Sequence, residues 1–137
     1  MARLGKFEIQ EQLGQGGMGV VYRAWDTKME RLVALKTMSP DKATRAEFIK
    51  RFRREALSAG RLDHPNIVTI YEFDEQDEVC YIAMQFLDGS DLETLMSAPS
   101  WEKEFPIFRK LEILIDVCQG LAYAHRNGVI HRDVKPA

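Results

Sequence analysis

In the first part of the chain, the pattern of residues 7–13 and 20–25 predicts two strands, and the apolar, β-rich run 32–36 predicts a third. Between the first two lies Gly14-Gln15-Gly16-Gly17-Met18-Gly19, so the glycines form the tip of a hairpin. The period then lengthens. Over residues 44–62, Phe48, Phe52, Glu55, Ala56 and Ala59 recur at three- and four-residue steps, which predicts a helix ended by His64-Pro65-Asn66. Residues 67–73 and 79–86 read as two further strands joined by the acidic turn Asp74-Glu75-Gln76-Asp77-Glu78. Leu87-Asp88-Gly89 breaks the second of them, and Ser90 or Asp91 caps a short helix reaching Met96. Residues 97–106 read as a loop. A long helix over 108–126 sets Leu111, Leu114, Ile115, Cys118, Leu121, Ala122 and His125 on one stripe, with Asn127-Gly128 as its stop.

One position conflicts with its pattern. Glu55 falls on the apolar side of its helix, where a lone carboxylate is costly to bury, so it needs a cationic partner. Lys36, at the end of Val33-Ala34-Leu35-Lys36, is the natural one. Strand alternation places Ala34 and Lys36 on the same face, a small residue beside a cation, which suits a flat purine and its phosphates.

Composition then excludes some classes. The chain has 137 residues, 45% of them hydrophobic and 29% charged, as in a globular protein of one ordinary domain's size. A net charge of −2 disfavours nucleic acid and anionic membrane as partners of the whole chain. Cys80 and Cys118 make no metal-ligand spacing and are expected to be buried free thiols. There is no apolar run of membrane-spanning length, and residues 1–6 lack the apolar segment of a signal peptide, so a cytoplasmic protein is expected.

Two motifs carry the chemistry. Gly14-x-Gly16-x-x-Gly19-x-Val21 shares its spacing with dinucleotide-binding turns, but those turns lead into a helix, whereas a β-rich run follows here. A glycine hairpin brings bare backbone N–H groups up to phosphate oxygens. In His131-Arg132-Asp133-Val134-Lys135-Pro136, Asp133 can accept a hydrogen bond from a substrate hydroxyl and Lys135 can neutralise a phosphate as charge moves onto it.

Over essentially its whole length the sequence resembles protein kinases. The resemblance rests on residues 13–19, 51–56, 64–68 and 131–136, and is strongest to bacterial Ser/Thr kinases of the eukaryotic, or Hanks, type. Lys135, two residues after Asp133, matches the Ser/Thr rather than the Tyr form of the loop. The fold this implies is α+β. A small lobe over residues 1–87 has five antiparallel strands and one helix, a hinge lies at about 85–89, and residues 88–137 begin a helical large lobe.

The resemblance also implies roles. Leu13, Gly14, Gln15, Gly16, Gly17, Met18 and Gly19 would cover the phosphates of ATP, and Lys36, held by Glu55, would bind the α- and β-phosphates. Val21 and Ala34 would roof the purine and Met84 would stand at its back. The Gln85 carbonyl and Leu87 amide would bond the adenine edge, with Asp91 near the ribose. Asp133 and Lys135 would complete the catalytic set, and Ala59, Ile70 and His131 would join a stack between the lobes. His125 is read as a structural helix-end residue. The family's Mg²⁺ ligands, an asparagine and the aspartate of a DFG motif, fall outside the 137 residues, so this piece by itself is expected to be inactive. The alternative reading is a non-catalytic nucleotide-binding or dimerising module, pairing through its small lobe or the apolar face of the helix at 108–126. The cations Lys50, Arg51, Arg53 and Arg54 form either a solvated helix face or a docking patch.

Overall fold

The computed structural model describes residues 2–16, 19–38 and 45–136, without the side chains at 51, 52, 55 and 58. Strands β1 (Arg3–Leu4), β2 (Phe7–Gly16), β3 (Gly19–Asp26) and β4 (Arg31–Met38) precede helix α1 (Arg45–Ala59). Strands β5 (Ile70–Gln76) and β6 (Val79–Gln85) follow it, and then helices α2 (Leu92–Ser97), α3 (Trp101–Glu104) and α4 (Ile107–Arg126). The chain divides into two compact units, Met1–Asp63 with Val68–Leu87, and His64–Ile67 with Asp88–Ala137.

The first unit is one antiparallel sheet in the order β1-β2-β3-β4-β6-β5. It has six strands among the described residues rather than the five expected. The extra one is the two-residue β1, which pairs with the start of β2 and carries Leu4 into the core. Phe7, Ala24, Val33, Leu35, Tyr81 and Ala83 fill that core, and the Phe7 and Tyr81 rings meet edge to face with centroids 5.5 Å apart. The β5–β6 connection contracts to Asp77 and Glu78. Both have positive φ, 50° and 66°, the backbone of a two-residue turn that matches strand twist.

Asp26, at the end of β3, is 1% exposed. Its carboxylate accepts from the N–H groups of Lys28 and Met29 at 3.0 and 3.1 Å and faces Lys6 Nζ at 3.2 Å. Burial works to raise the Asp26 carboxyl, but the hydrogen bonds from Met29, Lys28 and Lys6 outweigh it and hold the group below its ordinary value. Lys6 also donates to Glu72 at 2.6 Å, within 3.5 Å of whose second oxygen lies the Tyr81 hydroxyl.

In the second unit, α4 starts after Pro106 and ends on Gly128, whose φ of 77° only glycine adopts freely. Gly128 N–H donates to His125 O at 3.0 Å and Val129 N–H to Ala124 O at 2.9 Å, which closes the helix in a Schellman turn. Inside α4, Gly120 permits close approach, since a Cβ there would lie 3.0 Å from Asn66 O. The segment His64–Ile67 therefore belongs with α4, where the His64 ring also packs on Tyr123 at 5.0 Å. This is why β5 begins at Ile70 and not at residue 67.

Two expectations are corrected in this unit. The loop at 97–106 contains α3, whose Trp101 ring stacks on Phe105 at 4.5 Å. Cys80 is buried, with its thiol pushed up by burial, but Cys118 is exposed, because the apolar stripe of α4 faces outward. No helix among the described residues is long and apolar enough to cross a membrane.

Candidate active site

Strand register brings the nucleotide-binding candidates of the first unit together. Val21 pairs with Lys36, Ala34 with Met84, and Lys36 with Ile82. Residues directly opposite one another in an antiparallel pair share a face, as do residues two apart in one strand. Val21, Ala34, Lys36 and Met84 therefore lie on one face, contributed by β3, β4 and β6. Ala34 is 9% exposed. Val21, Lys36 and Met84 are half-buried.

The glycine hairpin continues this surface. Gly14 pairs with Val21, Gln15 with Val20 and Gly16 with Gly19, after a bulge between Gln12 and Gly14 that contains the exposed Leu13. Gly19 has φ of 125°, and a Cβ there would stand 2.0 Å from Thr37 O, so both conformation and crowding require glycine. A Cβ on Gly14 meets nothing within 4 Å, so that glycine leaves backbone open to a ligand instead. Gly17 and Met18 lie outside the described residues. Glu55 falls within α1, but its side chain, and with it the Lys36–Glu55 pair, also lies outside them.

At the end of β6, Gln85 N–H donates to Thr69 O at 2.9 Å, which ties the hinge candidate to the chain entering β5. Leu87 is exposed. One group here escaped the sequence reading. Arg23 places its guanidinium 5.5 Å from the centre of the Phe86 ring and donates to Glu11 at 3.1 Å. It joins the strand before the glycine turn to the segment after β6 through a cation–π contact. Its position two residues after Val21, on the same face, was the available signal.

The second unit holds the other candidates. Asp91 is the N-cap of α2, accepting from Thr94 N–H at 2.7 Å and Thr94 Oγ1 at 2.9 Å. These bonds hold its carboxyl below the ordinary range. Glu93 N–H, one of the free amides of that first turn, donates to Pro136 O at 3.1 Å and so moors the 131–136 segment to α2. Within the segment, Lys135 Nζ lies 3.2 Å from Asp133 Oδ2, and Asp133 N–H donates to His131 Nδ1 at 3.3 Å. Arg132 has φ of 65°, an uncommon conformation for a non-glycine residue, directly before Asp133. Asp133 and Lys135 are exposed. Among the described residues no three His, Cys, Asp or Glu side chains cluster as a metal site.

A family model described as the protein kinase domain matches residues 7–137. The sequence is 43% identical over 134 residues to the serine/threonine-protein kinase PrkC of Bacillus subtilis, covering 96% of this chain and 20% of that protein. It is 40% identical over 136 residues to PknB of Mycobacterium tuberculosis, with 96% and 21% covered. Among solved structures, the apo form of PpkA-294 superposes with a TM-score of 0.85 at 27% identity, over 98% of this chain and 54% of that one. The PknI kinase domain of M. tuberculosis gives a TM-score of 0.79 at 35% identity, with 99% and 54% covered. The chain thus spans about a fifth of the length of these curated relatives and about half of the solved chains.

Proposed function

This chain belongs to the protein kinase family, and we propose that it supplies the ATP-gripping sheet and the first catalytic segment of a cytoplasmic enzyme that transfers the γ-phosphate of ATP to Ser and Thr hydroxyls of proteins. The observation that carries this reading is the single sheet face holding Val21, Ala34, Lys36 and Met84 beside an open glycine hairpin.

On this reading Val21 and Ala34 pack on the purine and Met84 closes its back. The Gln85 carbonyl and Leu87 amide take the adenine edge. Asp91, with lone pairs left over from capping, is assigned to the ribose. Backbone N–H groups of residues 13–19 and the Lys36 ammonium hold the phosphates, with Glu55 aiming that ammonium. Asp133 accepts the hydrogen bond of the incoming hydroxyl and orients it. Lys135, already beside Asp133, offsets the charge that develops on the transferred phosphoryl group. The family generally works with Mg²⁺.

The test is transfer of labelled phosphate from Mg-ATP to a general Ser/Thr substrate by the full-length protein. Lys36→Met and Asp133→Asn should each lower turnover by about 10²-fold or more. A loss below about threefold for either would remove that residue from its role. A second reading, a dimerising module without transfer, draws on the exposed stripe of Leu111, Leu114 and Ile115 on α4. Concentration-dependent sedimentation, with no labelling by the full-length protein, would favour it.

A further inference from the structure

Helix α1 packs against β5 with one face, to which Ala56, 4% exposed, belongs. The neighbouring side of the helix is built differently. Lys50, Arg53 and Arg54, continued by Arg61 past the helix end, alternate with Ile49 and Leu57 along a shallow groove of about 540 Å³. Leu57 is 56% exposed. Among the described residues no acidic side chain lines the groove, and Lys50, Arg53 and Arg61 enter no ion pair. The chain as a whole carries −2, so this cationic face is a local feature and not the reflection of a basic protein.

A partner must match both components. Ile49 and Leu57 are eight residues apart, about 12 Å along the helix, roughly the spacing of apolar side chains two turns apart on a second helix. Carboxylates flanking that stripe would meet the arginines, whose planar forks bind carboxylates in pairs of hydrogen bonds. A nucleic acid would engage the cations alone and leave both aliphatic side chains wet. A membrane surface needs a far broader apolar face than two aliphatic residues provide. We propose that the outer face of α1 is a docking surface for an acidic amphipathic helix of a partner protein. The proposal does not depend on the nucleotide-site reading.

Fluorescence anisotropy on the full-length protein tests it. The probe is a labelled peptide of about 14 residues with leucines two helical turns apart and glutamates on either side. Binding is expected with Kd of about 10–100 μM at about 50 mM salt, weakening as salt rises. Arg53→Glu with Arg61→Glu should weaken it at least about tenfold and Leu57→Ser about threefold, with unchanged circular dichroism. If the double reversal unfolds the protein, Arg53→Gln with Arg61→Gln replaces it, with at least about threefold weakening expected. Arg109→Glu, on α4, should have no effect. A peptide with lysine for glutamate should recover binding to the reversal variant. Equal binding of a scrambled peptide, no binding at about 1 mM, or tighter binding to phosphatidylserine vesicles or single-stranded RNA would each overturn the proposal.

Discussion

The sheet unit and the helical unit treat apolar side chains in opposite ways. In the sheet, Phe7, Val33, Leu35 and Cys80 are less than 2% exposed, and a buried Asp26 is satisfied around them. In α4, Gly120 and Ala124 are the buried residues, while Phe108 is 77%, Leu114 56% and Ile115 55% exposed. Stabilisation scales with apolar area removed from water, at roughly 25 cal/mol per Å². The sheet unit therefore closes its own core, whereas α4 offers its stripe to whatever covers it. The difference teaches that the two units do not share stability evenly. It also separates tasks in part, since the side chains assigned to the purine and phosphates stand on the closed unit, while Asp91, assigned to the ribose, and the pair assigned to the acceptor stand on the open one.

Truncation across this contrast should give the largest effect on stability. Phe7→Ala should cost about 3–5 kcal/mol in urea denaturation, and Leu114→Ser should stay within about 0.5 kcal/mol. Similar costs for the two would break the comparison. Next in size, Asp26→Ala leaves the Lys28 and Met29 amides of the β3–β4 turn without their acceptor and strips Lys6 of one partner, for about 2–4 kcal/mol in the same assay. A neutral result would mean that the buried carboxylate gives no more than an apolar filler would.

Alkaline pH sharpens the contrast further. Burial, aided by Glu72 and Asp74, pushes the Tyr81 phenol from its ordinary 10.0 up to about 12. Because the folded-state value is raised, its contribution is complete below the ordinary value and is lost as pH climbs towards 12. Lys6 acts in the same direction: burial lowers its value, but the bonds to Glu72 and Asp26 outweigh that and leave it raised. Thermal midpoints of the sheet unit should therefore fall above pH 10, and Tyr81→Phe should flatten part of that fall. An unchanged slope would remove Tyr81 as its source. The smallest effect belongs to the helical unit. Asp91→Ala removes the α2 cap and should cost about 1 kcal/mol, read as faster amide exchange at Thr94 with no change in the sheet.

Much of the site is legible along the chain because its signals are local. Glycine spacing marks the hairpin, and period-two alternation places Ala34 and Lys36 together. Gly128 ends α4 where the Asn127-Gly128 pair says it should. What was misread depended on distant neighbours. Cys118 shares the apolar pattern of a core residue, yet nothing among the described residues covers its stripe. Residues 67–69 look like strand by composition, but His64–Ile67 is drawn to α4 by the room Gly120 leaves. Asp26 gives no sign of burial, because its partner Lys6 comes from before β2.

The sequence by itself determined most of the elements, though not β1 or α3, together with the glycine turn and the residue types that phosphoryl chemistry needs, since these follow from backbone sterics and from periodicities of two and 3.6. Only the tertiary structure decided that Met84 stands opposite Ala34, because β6 pairs with β4 across an intervening helix and strand. It alone decided that Arg23 reaches Phe86 and that Pro136 is moored to α2. Such pairings are set by loop closure and by the burial of a shared face, and no stretch of neighbouring residues contains them.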